Sequence, residues 1–253
     1  MTQEEIFIKS TVDETMQPSL FYRAESEERR PLLVGLHTWS HNRTNMIQYL
    51  LKFAEEQNFS LLMPEFRGPN LRSNPNKDKA CGSIYAKQDI KDAIDYVVVN
   101  ENVVDKNNIF LVGLSGGGHM ALLMAGFCPE YFRAIAAFAP ISDLERWRRE
   151  APASYVEHID YCCNNDSEEM LQRSAINYYD VIAKANTKIF HGRIDNVVPF
   201  EQSVDFFNEM YRKHPKARLY LDIFHGGHQF DVNLCKNWLL SQYNAPQLAE
   251  VTG

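Results

Sequence analysis

Short apolar segments alternate with amphipathic segments along nearly the whole chain, and this alternation limits the possible folds more than any other feature. The apolar segments have the length and composition of buried strands, as in NIFLVGLS (108–115) and TKIFHG (187–192). The segments 42–58 and 84–100 instead place apolar residues at helical spacing, with Ile84 on the apolar side of the second. Strands that alternate with helices pair in parallel, and helices cover both faces of their sheet. The sequence therefore predicts an α/β fold with a mostly parallel central sheet.

Two parts of the chain depart from this alternation. Near the amino terminus, EIFIKS and SLFYRA are typical of an antiparallel strand pair at the edge of a sheet. Residues 144–185 are polar, aromatic and helical in composition. A length of 253 residues fits one large α/β domain or two small ones. We interpret the chain as one domain, residues 1–253, with a small helical cap inserted at about 144–185.

Composition and charge limit the classes of partner. The net charge of −7 argues against nucleic acid, because phosphate binding needs a basic face. The apolar runs are shorter than the roughly 18–20 residues that span a bilayer, and MTQEEIFIKS lacks the features of a signal peptide. Five scattered cysteines indicate free thiols, and the adjacent Cys162 and Cys163 lack the further ligands of a zinc site. We expect a cytoplasmic protein without membrane segment, metal or cofactor.

The segment LVGLSGGGHMA (111–121) changes from a strand pattern to helix-forming residues at Ser115. Its GLSGG core fits G-x-S-x-G, the nucleophile elbow, which requires a strand before it and a helix after it. Such a turn lifts the serine hydroxyl above the sheet edge and aims the Gly116 N–H and the helix N-terminus at a developing negative charge. The alternative is a glycine-rich turn without chemistry. The flanking strand and helix favour Ser115 as a nucleophile.

A serine hydroxyl needs a base to remove its proton, and in enzymes with this elbow an acid and then a histidine follow the serine. Asp195, in KIFHGRIDNVVPF, follows a predicted strand and is the best candidate for the acid. Asp180 and Asp205 are weaker candidates because they fall in predicted cap or helical segments. The alternative for Asp195 is a turn aspartate that binds its own backbone.

Two histidines follow the last predicted strand, in LDIFHGGHQF. His228 lies past a Gly-Gly loop near the start of a helix, where its ring can reach over the serine, and we choose it as the base. His225 is closer to the strand and is expected to be packed or hydrogen-bonded. His119, on the helix after the elbow, is expected to pack against the sheet or the cap.

An acyl-transfer site also needs a second donor for the oxyanion, besides the N–H of Gly116. The segment LHTWS (36–40) ends an early predicted strand, where enzymes of this kind place that donor. The backbone N–H of Trp39 is the first candidate and that of Thr38 is the second. Alternatively, or in addition, the Trp39 ring forms a wall of the pocket or a lid.

These segments together resemble the α/β-hydrolase superfamily and, within it, the catalytic domains of the prolyl oligopeptidase family. The similar motifs cover roughly residues 31–243 except the cap: GLSGGGHMA, FRGPN, QDIKDAIDYV, HGRIDNVVPFEQS and HGGHQF. The resemblance implies an α/β-hydrolase fold and the same triad, Ser115, Asp195 and His228. The chain departs from the family at Trp39, which lies in a His-Thr-Trp loop instead of His-Gly-Gly, and at Gly116, where tyrosine is frequent.

We therefore expect a serine hydrolase that cleaves small ester or short peptide substrates through an acyl-enzyme intermediate, as a carboxylesterase or a serine peptidase. The alternative is a non-catalytic α/β-hydrolase-fold protein that binds a partner or ligand, although no triad residue is missing. The cap carries several carboxylates, which either favour cationic substrates or form a solvated surface. These carboxylates are Glu157, Asp160, Asp166, Glu168 and Glu169.

Overall fold

The computed structural model describes residues 1–246, and this part contains eight strands and nine α-helices. The last residues of the predicted domain, 247–253, lie outside the described residues. The strands are β1 (Thr2–Lys9), β2 (Met16–Arg23), β3 (Arg30–Leu36), β4 (Ser60–Pro64), β5 (Val104–Leu114), β6 (Ala134–Phe138), β7 (Thr187–Gly192) and β8 (Leu219–Phe224). The helices are α1 (Ile47–Gln57), α2 (Ile84–Asn100), α3 (Gly116–Phe127), α4 (Leu144–Glu150), α5 (Ala153–Cys163), α6 (Ser167–Gln172), α7 (Tyr179–Ile182), α8 (Glu201–Lys213) and α9 (Val232–Asn244).

All eight strands form one sheet in the order β1-β2-β4-β3-β5-β6-β7-β8. β2 pairs antiparallel with β1 and β4, while every other neighbouring pair is parallel. The predicted mostly parallel sheet and its antiparallel edge pair are therefore confirmed. Because β3 and β5 to β8 run in the same direction, the loops that follow them meet at one edge of the sheet.

Two apolar layers pack on the two faces of the sheet. In β5, Ile109 and Leu111 face the layer that includes α2, α3 and α8. Phe110 and Val112 face the opposite layer, which includes α1 and α9. From Ile109 to Leu114 both faces of β5 are buried, so this part of the strand is a continuous apolar run, whereas residues 105–108 are polar and partly or fully exposed. Within residues 1–246, no helix combines the length and the apolar character that crossing a bilayer requires.

Helices α4 to α7 lie between β6 and β7 and form the helical insertion that the sequence predicts. A third apolar cluster joins these helices to loops at the carboxyl edge of the sheet. It includes Trp147 and Ile159 from the cap, Trp39 from the loop after β3, and Val198 from the loop after β7. The cap therefore packs directly on the loops that carry the candidate site residues.

Two local expectations were wrong. The helix predicted over 42–58 begins only at Ile47, because Asn42 Oδ1 accepts hydrogen bonds from the N–H and the hydroxyl of Thr44 and so forms a turn. Ile84 is 50% exposed instead of lying on the buried side of α2. It is the first residue of that helix, directly after the capping Ser83, whose hydroxyl accepts from the N–H of Ala86.

Candidate active site

Ser115 connects the end of β5 to the first residue of α3 through a strained turn. Its backbone angles, φ 57° and ψ −117°, are ones that non-glycine residues rarely adopt. The N–H of Ser115 donates to Phe138 O, and its carbonyl accepts from His119 N, each at 2.8 Å. These bonds hold the serine at the N-terminus of α3, where the helix dipole favours negative charge.

Close backbone approach explains the glycines around Ser115. A Cβ on Gly113 would lie 2.1 Å from the carbonyl oxygen of Gly117, so a larger residue there would force the strand and the helix apart. A Cβ on Gly116 would lie 2.7 Å from the backbone nitrogen of Trp39. The missing side chain of Gly116 therefore lets the loop after β3 lie directly against the start of α3.

The two candidates for the second oxyanion donor differ in their hydrogen bonding. The N–H of Thr38 donates to Asn45 Oδ1 at 3.0 Å, so it is occupied and we drop Thr38 from the candidate site. The N–H of Trp39 has no acceptor among the described residues, while its carbonyl accepts from Asn70 N at 2.8 Å. The N–H of Gly116 belongs to the first turn of α3, whose donors have no partner within the helix. The amide nitrogen of Trp39 also lies against Gly116, the residue that directly follows Ser115.

Asp195 lies in the turn after β7, and its side chain is fully buried. Its Oδ1 accepts from the N–H groups of Val197 and Val198, at 2.8 and 2.9 Å. Its Oδ2 accepts from His228 Nδ1 at 2.7 Å and lies 3.3 Å from His191 Nε2. The same carboxylate therefore binds its own turn and the candidate base, so the two alternatives for Asp195 do not exclude each other.

Hydrogen bonds change the pKa of the Asp195 carboxyl more than its burial does. Burial alone would favour the neutral acid, but His191, His228 and the N–H of Val197 hold the pKa of the Asp195 carboxyl well below its usual range. An ionised carboxylate only accepts hydrogen bonds, so the His228 Nδ1 carries the proton. The ring of His228 is 19% exposed, and its Nε2 forms no hydrogen bond with any of residues 1–246, Ser115 included. The lone pair of Nε2 is thus free to accept a proton from a nucleophile.

Backbone hydrogen bonds join the acid loop to the histidine loop. The N–H of Ile194 donates to Gly226 O at 3.0 Å, next to the β7–β8 strand pair. A Cβ on Gly192 would lie 2.3 Å from the carbonyl oxygen of Gly227, so the two loops also touch at the end of β7. The three candidate triad residues thus follow β5, β7 and β8 at the same edge of the sheet.

The weaker acid candidates have other partners. Asp180 accepts from Nε2 of His214 at 2.9 Å, and its side chain is 90% exposed. Asp205 forms an ion pair with Arg146 at the surface. Neither carboxylate hydrogen-bonds a histidine of the candidate site.

The remaining histidines have no place in the candidate triad. His225 is exposed, so the expectation that it is packed or hydrogen-bonded was wrong. His119 is fully buried against the cap, with Nε2 2.6 Å from Arg173 O, as its position on the elbow helix predicts. Burial lowers the pKa of His119 to about 4, which keeps the ring neutral at ordinary pH.

Sequence reasoning missed His191, which is fully buried beside Asp195. Its Nε2 is 2.9 Å from Val198 O, and since a carbonyl only accepts, Nε2 carries the proton. The ring Nδ1 is 2.7 Å from the hydroxyl of Ser203, which therefore donates to it. The signal was present in HGRID, where the histidine precedes the aspartate by four residues. Within residues 1–246, no group of three or more His, Cys, Asp or Glu side chains is arranged to hold a metal ion.

Comparisons with known proteins find relatives of the chain in sequence and in fold. The mouse acylamino-acid-releasing enzyme is 26% identical over 221 residues, which is 81% of this chain but only 29% of the mouse protein. An acylaminoacyl peptidase structure from Pyrococcus horikoshii has a TM-score of 0.80 at 17% identity, over 97% of this chain and 42% of that one. An S-formylglutathione hydrolase from Staphylococcus aureus has a TM-score of 0.73 at 15% identity, over 96% of this chain and all of that one.

The structural likeness and the sheet topology confirm the α/β-hydrolase fold expected from the sequence. The sequence itself matches the prolyl oligopeptidase family over residues 45–239, which is most of the chain and contains all three candidate triad residues. On this match, the chain belongs to the prolyl oligopeptidase family.

Proposed function

We propose that the chain is a serine hydrolase that cleaves ester or amide bonds through an acyl-enzyme intermediate. The observation that carries the proposal is the hydrogen bond between the buried Asp195 and His228, at the same sheet edge as the strained Ser115. Family membership supports it, because the curated relatives are named acylamino-acid-releasing enzymes. The chain spans 29% of the mouse relative, so the activity is proposed for this chain on the site geometry.

In the proposed reaction, Ser115 Oγ attacks the substrate carbonyl while His228 Nε2 takes its proton. Asp195 holds the proton on His228 Nδ1 and stabilises the imidazolium that forms. The imidazolium then protonates the leaving group, which departs and leaves an ester of Ser115. A water molecule, deprotonated by the same Nε2, attacks this ester, and the imidazolium returns the proton to Ser115 Oγ as the acyl group leaves as a carboxylic acid.

The negative charge on the carbonyl oxygen would be held by the N–H groups of Gly116 and Trp39. Both amides lie beside Ser115, and they are fixed before the reaction by the contact between Gly116 and the loop after β3. Fixed donors of this kind stabilise the transition state more than the bound substrate, and each contributes about 10²- to 10³-fold in rate.

Esters and amides are both included as substrates. The names of the acylamino-acid-releasing relatives support amides as substrates, whereas the same fold spans the full length of the S. aureus chain, which is named an S-formylglutathione hydrolase. Two of the five cap carboxylates already have partners within the cap, Asp160 with Arg148 and Glu169 with Arg173, so we propose no preference for cationic substrates. The expected substrates are small esters and short acylated peptides.

The direct test compares hydrolysis of short-chain p-nitrophenyl esters with hydrolysis of N-acetyl-aminoacyl p-nitroanilides, by the wild type and by Ser115→Ala. Turnover of either class that disappears in Ser115→Ala supports the proposal, and the ratio of the two rates separates esterase from peptidase. A wild type without turnover on both classes would favour the non-catalytic binding protein.

Two further properties are part of the proposal. All five cysteines are free and buried, which suits a reducing compartment and supports a cytoplasmic location.

The cap is inserted between two strands of the sheet and packs on its loops, which supports one functional domain spanning residues 1–253.

A further inference from the structure

We propose that Trp147, in cap helix α4, is a positioning residue that holds both the acid loop and the oxyanion loop of the proposed active site. The inference rests on the function proposed above and gives the cap a role in it. Trp147 does not contact the proposed nucleophile, so it would act through the residues that it packs against.

The first contact of Trp147 is with the acid loop. Its side chain is fully buried, and its indole N–H donates to the carbonyl of Val197 at 3.1 Å. The N–H of the same residue, Val197, donates to Asp195 Oδ1 at 2.8 Å. Val197 is therefore held between the indole and the carboxylate, and a shift of Val197 would move the group that orients His228.

The second contact of Trp147 is with the oxyanion loop. Its ring meets the ring of Trp39 edge to face, with centroids 5.2 Å apart and an interplanar angle of 71°. Tyr155 of α5 packs against both indoles, at 5.3 Å from Trp147 and 6.5 Å from Trp39. The backbone of Trp39 in turn lies against Gly116, since a Cβ on Gly116 would be 2.7 Å from the nitrogen of the proposed donor.

One side chain of the cap thus fixes the neighbours of two groups that the proposed reaction needs. The Asp195 carboxylate acts most strongly when positive charge develops on the imidazole of His228. The Trp39 N–H acts most strongly when negative charge develops on the carbonyl oxygen of the substrate. Loss of their alignment should therefore lower kcat and kcat/KM together and leave KM nearly unchanged. A side chain that only stabilised the cap would lower the melting temperature without this kinetic pattern.

The test compares Trp147→Phe with a matched control, Trp238→Phe. Trp238 also is a buried indole that donates to a backbone carbonyl, Ile135 O at 3.3 Å, but Ile135 lies at the start of β6, away from the carboxyl edge that carries the site. With p-nitrophenyl acetate, we expect kcat of Trp147→Phe to fall about 10- to 100-fold at a KM within about twofold of wild type. The control should keep kcat within about twofold while losing a similar amount of thermal stability.

A Trp147→Phe variant that keeps wild-type kcat, or loses no more than Trp238→Phe, would overturn the proposal, as would an effect on KM alone. If Trp147→Phe does not fold, Tyr155→Leu replaces it, because Tyr155 is only half-buried. This variant should also lower kcat at unchanged KM, and wild-type kcat there would equally overturn the proposal. A wild type without any turnover contradicts the proposed function itself, and this inference with it.

Discussion

His228 Nδ1 donates a 2.7 Å hydrogen bond to Asp195 across 33 positions of sequence, because the loops after two neighbouring strands meet at the edge of the sheet. This bond fixes which nitrogen of His228 carries the proton and leaves Nε2 free for the role of base that we propose. The pair also keeps Asp195 ionised, since the hydrogen bonds that hold its pKa low compensate for its burial.

The substitution Asp195→Asn should lower kcat by about 10⁴-fold with little change in KM. The asparagine oxygen can still accept from Val197 and Val198, so the turn is preserved, but its NH₂ group disfavours a proton on His228 Nδ1. Steady-state kinetics on an ester substrate, with the melting temperature as a check of folding, measures the effect. A loss smaller than about tenfold would show that Asp195 does not set the tautomer.

Ser115→Gly should be more stable than Ser115→Ala by about 1 kcal/mol, although both variants lose turnover. Both remove the hydroxyl, but only glycine adopts φ 57° and ψ −117° without strain. Urea denaturation of the two variants gives the difference in unfolding free energy. Equal stabilities would mean that the elbow stores no strain.

Gly116→Ala should lower kcat by about 10²- to 10³-fold, because the new Cβ would displace the backbone of Trp39 and with it one oxyanion donor. Gly227→Ala is the matched control in the neighbouring histidine loop, where the nearest atom to a new Cβ is 3.8 Å away. Kinetics of the two variants on the same ester should separate them by at least about tenfold. Equal activities would argue against Trp39 as a donor.

His119 should make the protein less stable as the pH falls from about 6.5 to about 4. The unfolded histidine takes up a proton near pH 6.5, whereas burial, with Lys87 and Arg173 nearby, delays protonation in the folded state to a pKa of about 4. Between pH 7 and 4.5 this linkage costs about 2 to 3 kcal/mol. Urea denaturation at the two pH values measures the loss of unfolding free energy, which should be smaller in His119→Gln than in the wild type by that amount. Equal losses in the two proteins would contradict the linkage.

The sequence was sufficient for the features that depend on long apolar runs and on local motifs. The predicted strand TKIFHG coincides with β7, Thr187–Gly192, because its apolar residues are buried on both faces and a turn follows at once. The glycines around Ser115 predicted the elbow correctly. The structure shows why they are required, since no larger side chain fits between β5 and α3.

Features that depend on contacts between distant loops were not predictable. The exposure of His225 is one such feature, because His225 is followed by glycine just as the buried His191 of β7 is, and this local sequence does not distinguish them. The occupied N–H of Thr38 depends on the side chain of Asn45. The contacts of Trp147 with both site loops depend on how the cap folds back, which no local pattern encodes.

Labelling with a fluorophosphonate probe, followed by mass spectrometry of the intact protein and its peptides, tests directly whether Ser115 is a nucleophile activated by His228. We expect one adduct per chain, located on Ser115, and labelling that becomes far slower in His228→Ala. An unmodified protein, an adduct on another residue, or an unchanged labelling rate without His228 would contradict it.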